Sequence, residues 1–195
     1  MKFHARRVWV VGNSGSGKST LASRIARAIG APYVELDALH HGPNWTPRPK
    51  DWVAGEVARA CETDAWVVDG NYRALEPIVR SRTEAIVWID LPRTKVIRQL
   101  VGRSLVRIVR GTELWNGNRE QWSALLSWDP NESVIRWAWT QHGNYFARYE
   151  QTSGEAAAQG IAFYRLRSRG EVDRFGEWVE RVEHAEAQRG ATIRS

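Results

Sequence analysis

Apolar and polar positions along the chain fall into two alternating textures. Short unbroken apolar runs at residues 8–11, 66–68, 85–89 and 161–164 are separated by longer stretches with apolar residues every three or four positions. Such runs are too short for helices, and too evenly apolar for strands with one wet face. They predict strands buried on both faces. A further strand is predicted at 32–36, ending at Asp37. Helical spacing predicts helices over 18–29, 51–61, 72–80, 92–110, 131–150 and 171–187, with Leu21, Ile25, Ala28 and Ile29 the clearest series. Residues 39–49, rich in Pro and His, and residues 111–130 read as irregular. Repeated strand-then-helix units predict an α/β fold, a parallel sheet with helices on both faces. Right-handed crossovers then bring all strand C-terminal ends to one edge. Gly12–Ser19, Asp37, Asp69 and Asp90 lie at those ends.

The chemistry begins between the first strand and the first helix. Gly12-Asn13-Ser14-Gly15-Ser16-Gly17-Lys18-Ser19-Thr20 fits the pattern G-x-x-x-x-G-K-[ST] in full. A strand precedes it and a helix opens inside it, which is the context this phosphate-binding pattern needs. A strand that turns sharply into a helix aims several backbone N–H groups at one small volume. Glycines permit the turn and the close approach of a polyphosphate, and the helix N-terminus adds partial positive charge. Residues 12–20 are therefore the expected cradle for a nucleoside triphosphate. Lys18 would reach its β- and γ-phosphates, and Ser19 would ligate Mg²⁺. ATP and Mg²⁺ are the expected cofactors.

Composition narrows the partners. The 195 residues suit a single domain, 1–195, with a developed core, and no linker, repeat or low-complexity tract interrupts them. No apolar run approaches the roughly 20 residues that cross a bilayer, so no membrane partner is expected. Cys61 is the sole cysteine. It excludes an intrachain disulfide framework and a cysteine-built zinc site, and the expected compartment is a reducing cytoplasm. The net charge of +6 comes from 24 arginines and 4 lysines. Such a surface fits nucleic acid, a phosphate-handling enzyme or compositional bias. The 11 tryptophans run from Trp9 to Trp178 without clustering among basic residues, so most are expected to be packing residues. No helix-turn-helix, zinc finger or basic tail favours a nucleic-acid partner. His40 and His41 lack a third ligand at metal spacing.

Several strand-end segments resemble the adenylate kinase-related group of P-loop kinases. Asp69-Gly70-Asn71-Tyr72-Arg73 is similar to the D-G-F-P-R signature of nucleoside monophosphate kinases, keeping Asp, Gly and Arg. Ile89-Asp90-Leu91-Pro92 followed by Val101-Gly102-Arg103 resembles the passage from a strand to the lid, with Gln99 where adenylate kinases carry an arginine. A bacterial branch of the group, labelled DNA topology modulation proteins, is also similar in Leu36-Asp37, Pro43-Asn44-Trp45, the segment 66–72 and Gly117-Asn118-Arg119-Glu120. The resemblance implies a P-loop NTPase three-layer sandwich, strand order 2-3-1-4-5, and a mobile lid at about 103–130. It implies ATP-dependent phosphoryl transfer to a small molecule, with a nucleotide or nucleoside first. The label of the branch implies an alternative, nucleotide-dependent DNA binding.

Individual roles follow from the same likeness. Asp69 would hold a metal-bound water beside Ser19; as an Asp-Gly ahead of a helix it also reads as an N-cap. Arg103 occupies the lid position of the family. Arg103, Arg107 and Arg110 share one helical face, in a stretch from Arg93 to Arg110 with six cations and no carboxylate. Three readings stand for that face: a lid that closes over the triphosphate, a solvated basic face, or a nucleic-acid track. The lid reading makes Lys18, Asp69, Arg103 and Arg107 the catalytic set. Arg119 is a further lid candidate. On the acceptor side, Asp37 would contact an acceptor hydroxyl or act as its base, Arg73 would bind a monophosphate, and Trp45 would stack on a flat acceptor. By the same resemblance, residues 167–170 lie beside the adenine ring.

Overall fold

The computed structural model describes residues 3–122 and 133–192. Part of the expected lid, 123–130, and the start of the helix expected at 131 lie outside the described residues. Five parallel strands form one sheet: β1 (Arg7–Gly12), β2 (Tyr33–Glu35), β3 (Trp66–Asp69), β4 (Ala85–Ile89) and β5 (Ala162–Leu166). Their order is β2-β3-β1-β4-β5, the order that the resemblance implies. The register sets Glu35 opposite Asp69 and Asp69 opposite Val10. Two carboxylates and the approach to the phosphate loop therefore share one row of the sheet.

Helices α1 (Lys18–Ile29), α2 (Leu36–His40), α3 (Lys50–Cys61), α4 (Glu76–Arg80), α5 (Arg93–Val109), α6 (Val134–Ala158) and α7 (Arg169–Thr192) cover the sheet. Strand residues alternate between two cores, as a period of two requires. Val8, Val10, Val67 and Val87 pack with Leu21, Ile25 and Ile29 of α1 and Val172, Phe175 and Val179 of α7. On the other face Trp9, Trp66 and Trp88 pack with Val53 and Val57 of α3, Val79 of α4 and Tyr149 of α6. Those three tryptophans and Cys61 are buried, so the packing expectation holds for them. Both sheet faces are covered, which explains why the strands read as continuous apolar runs.

Three boundaries differ from the periodicity reading. Strand β2 stops at Glu35 and α2 starts at once, so Asp37 sits in a helical first turn rather than at the end of a strand. The helix predicted over 72–80 is a 3-10 turn, Arg73–Leu75, followed by α4. Pro77 lies in the first turn of α4, where its missing N–H costs nothing. The last two helices outrun their predicted spans, α6 to Ala158 and α7 from Arg169 to Thr192.

Candidate active site

The phosphate loop is built by glycine geometry at the mouth of β1. Gly12 has φ 144°, and a Cβ there would stand 2.6 Å from the Ile89 carbonyl oxygen. Gly17 has φ 96°, and a Cβ on it would stand 2.8 Å from the Arg169 guanidinium. Only glycine fits either place. Arg169, from the 167–170 segment, thus lies against the loop. Asn13 is the buried pivot of the turn. Its carbonyl accepts from the Ser16 N–H at 3.1 Å and from Lys18 Nζ at 3.3 Å. Its side-chain oxygen accepts from the Ser14 N–H, and its Nδ2 donates 2.8 Å to the Ala138 carbonyl of α6. Ser19 and Thr20 open α1 at the solvent side of the loop.

Asp69 ends β3 beside this loop and is 3% exposed. Its Oδ2 accepts from the Tyr33 hydroxyl at 3.2 Å, while its Oδ1 is buried with no hydrogen-bond partner. Burial pushes the carboxyl up to about 6; the nearby Lys18 and Ser19 pull it down, and Asp37 and Glu35 push it further up. Asp69 makes no cap, since the following 3-10 turn is entered through Tyr72 without a side-chain cap. An orphaned carboxylate oxygen next to Lys18 and Ser19 fits a hydrated divalent cation. The donor set is hard oxygen throughout, which suits Mg²⁺.

Asn71, two residues on, ties β3 to the loop. Its Oδ1 accepts from the Gly12 N–H at 3.1 Å and its Nδ2 donates to the Gly12 carbonyl at 2.6 Å. The Tyr149 hydroxyl donates to the same Oδ1 at 3.0 Å, and Arg148, held by Glu76, donates to the Asn71 carbonyl. Sequence reasoning gave Asn71 no role. Its place immediately after Asp69-Gly70 at a strand end was the available signal.

The expected acceptor side combines β2, α2 and two small hairpins. Asp37 Oδ1 accepts from the Tyr72 hydroxyl at 2.8 Å. Glu35 Oε2 accepts from Trp115 Nε1 at 2.7 Å. Trp45 belongs to a turn, Pro43 to Thr46, whose central residues Asn44 and Trp45 have φ of 55° and 58°. A second turn, Trp115 to Asn118, repeats it with Asn116 and Gly117 at 58° and 78°. Positive φ at both central positions is the type I′ signature. The Thr46 N–H and the Asn118 N–H each close their turn at 3.2 Å, and antiparallel bridges His41–Pro47 and Glu113–Arg119 flank the two turns.

The two hairpins clasp each other. Buried Asn118 accepts from the Trp45 N–H at 2.8 Å and donates to the Gly42 and Trp115 carbonyls, both at 2.9 Å. Trp45 Nε1 donates to the Arg119 carbonyl at 3.2 Å, and Arg48 donates to Asn116 Oδ1 at 3.0 Å. His41 packs against both indoles, 5.4 Å from Trp45 and 6.3 Å from Trp115 by ring centroids. Burial lowers the His41 pKa, so its imidazole is neutral near pH 7.

Arg103 on α5 has an exposed surface, yet the protein around its guanidinium lowers its pKa by desolvation, and Arg107 lowers it further. Glu120, Asp37 and Glu35 act on it in the opposite sense. Arg107 is engaged by Glu120 at 2.7 Å. Arg110 lies just past the end of α5, Arg119 faces Glu113 at 3.9 Å, and Arg73 is exposed in its 3-10 turn. Asp90, at the end of β4, is ion-paired with Arg165 at 2.8 Å, a structural use of that carboxylate.

No family model and no curated protein matches the chain, so its resemblance to adenylate kinase-related enzymes rests on the motifs alone. Among solved structures the chain is similar to a gluconokinase from Sinorhizobium meliloti 1021, at 18% identity and TM-score 0.47 over 95% of each chain. It is also similar to a shikimate kinase from Bacteroides thetaiotaomicron, at 15% identity and TM-score 0.48, over 94% of this chain and 99% of that one. Likenesses this distant carry no chemistry.

Proposed function

We propose that this protein transfers the γ-phosphoryl group of ATP to a small-molecule acceptor. The observation that carries the reading is the convergence of three groups: the glycine-built loop with Lys18, the hydroxyl-bearing start of α1 at Ser19, and buried Asp69 with an orphaned oxygen. Loop N–H groups and Lys18 hold the triphosphate. Ser19 and a water on Asp69 would hold Mg²⁺, which would supply positive charge to offset that of the phosphates. Arg103 stabilises charge on the migrating phosphoryl group from the lid side. The acceptor oxygen bonds to the γ-phosphorus as the bond to the β–γ bridging oxygen breaks, and ADP leaves with that electron pair. For a hydroxyl acceptor, Asp37 receives the proton on the oxygen not held by Tyr72.

Part of the arginine surplus outside the 93–110 stretch has a structural use. Arg6, Arg7, Arg24, Arg80, Arg148 and Arg165 are each ion-paired with a carboxylate. The test is calorimetry of the purified chain with ATP and Mg²⁺, followed by γ-labelled ATP with a panel of nucleosides, nucleoside monophosphates and sugars. Magnesium-dependent ATP binding and label in one acceptor are expected. Absence of ATP binding would refute the reading.

A further inference from the structure

Trp45 is the wrong residue for the turn it occupies. A bulky side chain at φ 58° is an outlier, and type I′ turns favour Asn-Gly, the pair the sister turn has at Asn116-Gly117. Strain of this kind persists where the surroundings enforce it and the site uses it. Here Asn118 and the Arg119 carbonyl fix both nitrogens of Trp45. Its indole meets that of Trp115 at 87° with centroids 6.4 Å apart, forming an apolar corner, and both residues stay half-exposed.

Two carboxylates sit beside this corner, and each has one oxygen clamped by an aromatic donor. Trp115 Nε1 holds Glu35, and the Tyr72 hydroxyl holds Asp37. Among the described residues, neither Glu35 Oε1 nor Asp37 Oδ2 accepts a hydrogen bond from protein, and neither is a buried orphan. Each therefore has one oxygen held in place and one that no described residue engages. Of the cations nearby, Arg107 is already paired with Glu120, Arg119 faces Glu113, and Arg48 is engaged by Asn116. The charges of Glu35 and Asp37 are felt by Arg103. A monophosphate dianion entering here would meet two fixed carboxylates. Hydroxyl groups would find two oriented acceptors, and the C–H face of a ring would find indole.

We propose that the phosphoryl acceptor is an uncharged polyhydroxylated ring, as in a free sugar, a cyclitol or a nucleoside ribose, packed against Trp45 and Trp115 with hydroxyls on Glu35 and Asp37. This assignment rests on the kinase reading and narrows it. Glu35 and Trp45 become specificity-determining residues, and Asn118 positions both hairpins.

The experiment uses the full chain with γ-labelled ATP and Mg²⁺ and three sets of acceptors. One holds neutral monosaccharides, cyclitols and nucleosides, one the nucleoside monophosphates, and one amino sugars. Calorimetric ATP binding is established first, because its absence removes the kinase reading itself. With ATP binding in place, label in a neutral member supports the proposal. Label only in monophosphates, only in amino sugars, or in no neutral member overturns it and leaves the kinase reading standing. Trp45→Gly is the companion variant. It relieves the turn as Gly117 does in the sister hairpin, so its melting temperature should not fall through turn strain. Its KM for the neutral acceptor should rise tenfold or more, while its KM for ATP changes less than twofold. Glu35→Gln should act in the same sense. An unchanged acceptor KM in Trp45→Gly overturns the assignment.

Discussion

Replacing Asn71 with alanine isolates the tie between β3 and the phosphate loop. The variant removes a bond to the Gly12 N–H of 3.1 Å, a bond to the Gly12 carbonyl of 2.6 Å, and the acceptor of the Tyr149 hydroxyl at 3.0 Å. Gly12 and Tyr149 are both buried, so no solvent replaces these partners without rearrangement. A buried polar group left unpaired costs about 1–3 kcal/mol, which sums here to roughly 2–4 kcal/mol once partial relaxation is allowed. For a domain of this size each kcal/mol moves the melting temperature by about 2–4 °C, so a fall of roughly 5–15 °C is expected. Gly12 opens the loop, so the ATP dissociation constant should rise about fivefold or more in calorimetry. Asn71→Asp supplies an internal control. It keeps the acceptor oxygen and sets a second oxygen against the Gly12 carbonyl, so its deficit should shrink as pH falls and the carboxyl regains an O–H donor. A melting temperature within 2 °C of the parent, with unchanged ATP affinity, would show that the tie holds nothing in place.

Other outcomes follow from the same site. Arg103→Ala should lower turnover by about 10²-fold or more while leaving ATP affinity within a few-fold; near-normal turnover in a steady-state assay rules out a transition-state role. Asp69 is held at about 6 against an ordinary 3.8 by burial. Between those values the native state keeps a proton that the unfolded chain has lost, so stability declines as pH rises through that window and stays lower above it. Asp69→Asn removes this penalty. Without Mg²⁺ or nucleotide it should be more stable than the parent at pH 8, by up to about 3 kcal/mol, and indistinguishable below pH 4. A variant that melts lower than the parent at pH 8 contradicts that reading of the buried carboxylate.

What the sequence revealed and what it hid divide along physical lines. Val8–Val11, Trp66–Val68 and Ala85–Ile89 were legible as strands because both faces are buried and no polar residue interrupts them. The phosphate loop was legible because its glycines answer to local backbone geometry. Helix α2 was not, since five residues, Leu36–His40, complete too few turns to show a period. The paired hairpins were half-visible. Asn116-Gly117 is a turn signal in its own right, whereas Asn44-Trp45 contradicts turn chemistry and is held by Asn118, 73 positions away from Trp45. Glu35 and Tyr72 gained their roles through partners no spacing rule connects, Trp115 and Asp37.

The middle glycine of the loop has a mechanical consequence. At Gly15, with φ 82°, a Cβ would stand 2.9 Å from the Leu100 Cβ and 3.0 Å from the Val96 carbonyl oxygen of α5. Helix α5 thus bears directly on bare backbone, and Leu100 is less than one turn ahead of Arg103. The bearing that lets the arginine-carrying rod rest on the anion cup is a missing methyl group. Even alanine there would wedge rod and cup apart and shift the Arg103 guanidinium relative to the loop.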